Sequence, residues 1–157
     1  MRILKIAYGN RRDSKKWINK TVSFDGLCER LQTPIRTTET VEEYGTLTKS
    51  RRDEVKDVGG FVPGELRDGR RKRENVNCVS MLKLDGDDIE PGFLLRFEST
   101  NKYAAVVYST HSHTQTSPRL RMLIPMTRDL SPDEGMAVTR YIADSLGIDQ
   151  FDECSYQ

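Results

Sequence analysis

Apolar positions change their spacing several times along the chain, and each change marks an element. Arg2 to Tyr8 alternates loosely and predicts an edge strand, and Phe24 to Leu31 predicts a short helix. A longer helix is expected from Val41 to Val55. Thr40 and Glu43 have capping-box spacing at its start, although Gly45, Thr46 and Thr48 are poor helix formers. Gly59 to Gly64 is turn-rich and ends that pattern. The compact apolar run Val79 to Leu84 predicts a strand that ends in Asp85-Gly86-Asp87-Asp88. Strand alternation puts Ser80, Leu82 and Leu84 on its core face, and Val79, Met81, Lys83, Asp85 and Asp87 on the other. Tyr103 to Ser109 and Arg119 to Pro125 predict two more strands. In the second of these, Leu120, Met122 and Ile124 face one way and Arg119, Arg121 and Leu123 the other. The loop of about nine residues between them carries His111 and His113 and suits an antiparallel hairpin.

The clearest helix is Pro132 to Leu146. Ser131 is its cap, Pro132 takes the first position, Glu134 completes a capping box and Gly147 stops it. Val138, Tyr141, Ile142 and Leu146 share one face. Ile148 to Asp152 reads as the start of another strand. Strands joined by hairpins and mixed with helices point to an α+β domain.

Composition narrows the class. At 157 residues, 36% hydrophobic and 31% charged, the chain suits one soluble domain with a modest core. No apolar run approaches the roughly 20 residues of a membrane span, and the apolar start is too short for a signal peptide, so a cytoplasmic protein is expected. Cys28, Cys78 and Cys154 are odd in number and far apart, which argues against a disulfide framework and a structural zinc site. The net charge of +1 gives no sign of a nucleic-acid binder, but charge is concentrated locally in Arg67 to Arg73 and in Lys49, Arg51 and Arg52.

The first candidate chemistry is the pair Asp85 and Asp87. Two carboxylates at i and i+2 on a strand point the same way, and hard oxygen ligands suit Mg²⁺ or Mn²⁺. A third acid is needed to hold a pair of such ions. An EF-hand loop does not fit, because Ile89 and Glu90 stand where an oxygen ligand and a glycine belong. The second candidate is the set His111, His113, Arg119 and Arg121, whose imidazole and guanidinium groups suit a triphosphate. Lys83 shares the face of the aspartates. Together these groups describe a nucleoside-triphosphate site.

Three segments in order carry a resemblance. Ser80-Met81-Leu82-Lys83-Leu84-Asp85-Gly86-Asp87, then Tyr108-Ser109-Thr110-His111-Ser112-His113-Thr114, then Pro118-Arg119-Leu120-Arg121-Met122-Leu123-Ile124-Pro125 resemble the archaeo-eukaryotic primase superfamily. The closer resemblance is to the primase-polymerase modules of phages and integrated elements that precede a helicase, including the virulence-associated E type. Val58 to Val62 ahead of Gly69-Arg70-Arg71-Lys72 is also similar to them.

The resemblance implies an RRM-like antiparallel palm over residues 76–157 and an N-terminal α/β flank over 1–75. It implies metal binding by Asp85 and Asp87, a nucleotide contact by His113 or His111, and a third acid at Asp149 or Asp152. It implies a DNA template tracked by Arg70, Arg71, Lys72 and Arg73, a nucleotide substrate (NTP or dNTP) and a helicase domain or subunit as partner. Gly86 departs from the apolar residue usual between the aspartates. Family members continue beyond the third motif, so a C-terminally truncated chain is expected. That expectation keeps a second reading open, a catalytically inactive accessory or inhibitor that binds nucleic acid or protein. A third, a replication-initiator nuclease, would use His111-Ser112-His113 for its metal and Tyr141 or Tyr156 as nucleophile.

Overall fold

The computed structural model describes residues 2–156. Its elements are β1 (Ile3–Gly9), β2 (Ile18–Ser23), α1 (Phe24–Leu31), α2 (Val41–Thr46), α3 (Lys49–Val55), β3 (Gly60–Val62), β4 (Gly64–Leu66), β5 (Val76–Asp87), α4 (Phe93–Thr100), β6 (Val106–Ser109), β7 (Arg119–Leu130) and α5 (Pro132–Leu146). They form two antiparallel sheets, a small one ordered β2-β1-β3 and a larger one ordered β4-β5-β7-β6. The fold is α+β. From β5 onward the order is strand, helix, strand, strand, helix, with β7 inserted between β5 and β6. That is a split βαβ arrangement.

The larger sheet is covered on both sides. On one side Leu82, Leu84, Met122 and Ile124 pack with Phe93 and Phe97 of α4 and with Ile142 and Ala143 of α5. On the other, Met81 and Leu123 pack with Leu4 of β1 and Leu27 of α1. The small sheet and α1 therefore roof one half of this second face. Both faces of the middle of β5 are apolar for that reason: Leu82 and Leu84 lie in the core as alternation expects, and Met81 on the other face is buried too.

A β-bulge between Val79 and Met81 shifts the register against β7. Val79 thereby joins the cluster of Leu82 and Leu84, and Ser80 turns to the opposite side. There the buried Ser80 hydroxyl accepts the Lys5 amide at 3.1 Å and donates to Asp129 at 2.6 Å. Asp129 also pairs with Arg2 and Lys5, so this polar knot ties β1 to the bulged end of β7.

Other expectations are corrected by tertiary contacts. Arg2 to Tyr8 is the central strand of its sheet, because β2 and β3 pair with its two edges. The helix expected over 41–55 breaks at Leu47 and Thr48, both extended, and the Thr48 side chain accepts the Arg51 amide to start α3 afresh. The turn-rich segment holds two short strands, β3 and β4, on either side of Pro63. The strand expected from Tyr103 begins only at Val106. After Gly147, at φ 100°, the chain makes short 3-10 turns at Ile148–Gln150 and Glu153–Ser155 in place of a strand. Tyr141 is 71% exposed, whereas Ile142 is buried. The α5 capping box is present as expected.

Candidate functional site

The site lies where the second face of the larger sheet emerges from beneath its roof. Side-chain exposure on that face of β5 runs from 0% at Met81 to 29% at Lys83, 16% at Asp85 and 40% at Asp87. The antiparallel register places Asp85 opposite Arg121 and Asp87 opposite Arg119. On the far side of β7, Tyr108 stands opposite Arg121. Directly opposed side chains on neighbouring strands are near enough to interact. Arg121 binds Asp85 through Nε, Lys83 Nζ reaches the other Asp85 oxygen at 2.7 Å, and Arg119 binds Asp87.

These pairings set the electrostatics. Burial pushes the Asp85 carboxyl up, but hydrogen bonds and charge from Arg121 and Lys83 outweigh it and hold the group below the ordinary carboxylate range. Burial raises the Tyr108 hydroxyl, against the opposing effect of its hydrogen bond to Arg121.

The C-terminal segment completes the floor. The Asp152 amide donates to the Asp85 carbonyl at 2.8 Å, and the Ser155 hydroxyl accepts the Asp85 amide at 3.0 Å. Burial, then the charges of Asp87 and Asp85, push the Asp152 carboxyl up. Asp149 is exposed. Of the two alternatives for a third acid, Asp152 is the one whose charge is felt by the pair. Gly86 has a local reason: a Cβ there would lie 2.3 Å from Ile89 Cδ1 and 2.7 Å from the Gln150 carbonyl. Its bare backbone lets the C-terminal segment close on β5.

The hairpin loop of residues 110–118 forms one wall. His113 Nδ1 accepts the Arg119 amide at 3.1 Å, so a neutral ring carries its proton on Nε2 and keeps a donor free of that bond. His111 turns to the N-terminal flank. Its Nε2 lies 3.1 Å from Thr37 Oγ1 and its ring 4.6 Å from that of Tyr44. Tyr44 also reaches Ser112 at 3.3 Å. The two histidines thus take different partners. Thr37, Tyr44, Tyr108 and Ser155 are site neighbours that the sequence reading missed. Tyr108 was legible from its place in the second motif, while the other three depend on contacts distant in sequence.

Arg70, Arg71, Lys72 and Arg73 precede β5, whereas Asp85 lies near its far end, and the groove lined by Arg71, Lys72 and Arg73 extends to Cys154, next to the Ser155 that accepts the Asp85 amide. A cleft of about 350 Å³ is lined by Thr37 and another of about 430 Å³ lies beside the basic run, and neither is lined by Asp85 or Asp87.

The hard carboxylate oxygens of Asp85 and Asp87 on one face, with Asp152 nearby, are the donor chemistry that Mg²⁺ or Mn²⁺ prefers. The oxygens are engaged by Lys83, Arg119 and Arg121, and among the described residues no group of three or more His, Cys, Asp or Glu is arranged to hold a metal. Among the described residues, no helix is long and apolar enough to cross a membrane.

No curated protein and no solved structure matches the chain. The VapE N-terminal domain family matches it over residues 2–157. With all but the first residue inside that match, the chain belongs to the VapE N-terminal domain family, and so to the VapE-like proteins of mobile elements.

Proposed function

We propose that this domain acts in mobile-element DNA replication as a primase-polymerase, transferring nucleotides along a DNA template. The observation that carries the reading is the facing of Asp85 with Arg121 and of Asp87 with Arg119 on adjacent strands, with Asp152 bonded to the backbone of Asp85. Asp85, Asp87 and Asp152 would hold Mg²⁺ or Mn²⁺, which when bound supplies positive charge for the departing pyrophosphate. Lys83, Arg119 and Arg121 exchange their carboxylate partners for triphosphate oxygens, a swap between anions that keeps each cation paired. His113 donates from Nε2 to the same phosphates. The test is incorporation of labelled nucleotide on a primed DNA template with Mn²⁺. Asp85→Ala is expected to abolish incorporation while circular dichroism stays native, and full activity in that variant sinks the assignment.

A second reading has its own support. Each carboxylate of the pair is already neutralised by a cation, as in a site that holds structure and performs no catalysis. On this reading the domain is a nucleic-acid- or protein-binding accessory. Binding without any incorporation in Mn²⁺ favours it, and measurable polymerisation by the chain alone counts against it.

A further inference from the structure

The positive charge of this chain is gathered into two loops. Residues 10–17 carry four Lys or Arg against one Asp, and residues 67–73 carry five against one. These loops hold a net +7, so the rest of a chain with net charge +1 stands at −6. They are far apart in sequence but docked on each other. The Trp17 amide donates to the Gly69 carbonyl at 2.7 Å. Gly69 sits at φ 63°, and a Cβ there would lie 2.6 Å from the Trp17 carbonyl, so the close approach depends on glycine. Just beyond, the Asn19 side chain brackets Leu66, donating to its carbonyl at 2.9 Å and accepting its amide at 3.0 Å. The Arg71 guanidinium stacks over the buried Trp17 ring at 5.2 Å.

Some of this charge is already committed. Arg11 and Arg12 pair with Asp57 and Asp53, and Lys72 pairs with Glu74. Among the described residues, Lys15, Lys16, Arg67 and Arg70 make no ion pair, and all four are exposed. A groove of about 430 Å³ runs beside them, lined in part by Arg71, Lys72, Arg73 and Cys154.

We infer that these two docked loops form a second binding surface, separate from the Asp85 face, for the sugar-phosphate backbone of a nucleic acid. Concentrated, unpaired cations around an immobilised Arg-on-Trp platform suit a regular line of phosphates. The groove lined by Arg71, Lys72, Arg73 and Cys154 leads from these loops toward the C-terminal segment bonded to Asp85. The surface stands whether or not the Asp85 face transfers nucleotides.

The test measures fluorescence anisotropy of labelled 20-nucleotide single strands and 20-base-pair duplexes across a salt series, with the whole chain. The Lys15→Gln, Lys16→Gln, Arg70→Gln triple variant is expected to flatten the dependence of log affinity on log salt by about 2 for a single strand. That is three phosphate contacts at about 0.7 each, or nearer 2.7 for a duplex. The steeper loss identifies which form the surface prefers. An unchanged slope in a variant with wild-type melting temperature overturns the inference. So does a chain that binds anionic vesicles or polyglutamate but neither nucleic acid. Absence of nucleotide incorporation together with a slope that responds to the triple variant counts against the primase reading alone.

Discussion

Removing Arg121 should expose how strongly the candidate site depends on its ion pair. In Arg121→Met the half-buried Asp85 keeps only Lys83 as counter-ion, and the Tyr108 hydroxyl loses its partner. Breaking a fully buried pair costs about 3–5 kcal/mol, whereas an exposed one is worth about 0–1. Asp85 is 16% exposed and Arg121 36%, and Lys83 remains 2.7 Å away, so an intermediate loss of about 2 kcal/mol is expected. For a chain of this size that lowers the melting temperature by about 4–8 °C. The assay is urea unfolding of wild type, Arg121→Met, Asp85→Asn and the double variant, read as a double-mutant cycle. A coupling energy of about 1–2 kcal/mol is expected. A coupling below about 0.5 kcal/mol would refute the view that the two groups hold each other. The sign with pH follows from the lowered Asp85 pKa. The stabilisation is fully present above the ordinary carboxylate value near 4 and is lost as pH falls through the folded-state value. The gap between wild type and Arg121→Met should therefore narrow below about pH 4.

Three more outcomes test the surrounding geometry. Gly86→Ala, whose Cβ meets the Gln150 carbonyl at 2.7 Å, should destabilise the fold by about 1–3 kcal/mol and release the C-terminal segment to limited proteolysis. Asp152→Asn should raise the melting temperature at pH 7 and have less effect at pH 3. A carboxyl whose pKa is raised in the fold destabilises once ionised, and Asp149→Asn, at an exposed position, should show no such rise. Ser131→Ala removes the hydroxyl that accepts the Glu134 amide, one half of the α5 capping box, and should cost about 1 kcal/mol by thermal unfolding.

Much of the site was legible because a strand has a period of two. Asp85 and Asp87 share one strand face, and so do Arg119 and Arg121, but their facing each other rests on β7 lying beside β5, which no hairpin loop joins. Ser131, Pro132, Glu134 and Gly147 marked α5 through purely local bonding, and that helix formed as expected. The chain by itself therefore determined the α+β class and the capped helix, while the pairing of the carboxylates with Arg119 and Arg121 came from the structure. Tertiary structure alone decided the rest. At the bulge beside Ser80, its hydroxyl bonds the distant Lys5 amide and Asp129. The burial of Met81 depends on Leu4 and Leu27 arriving from the flank. The Asp152 amide bond to the Asp85 carbonyl joins the C-terminal segment to β5. The union of two basic loops came from Trp17 docking on Gly69. Each of these joins residues tens of positions apart, and no local period carries that information.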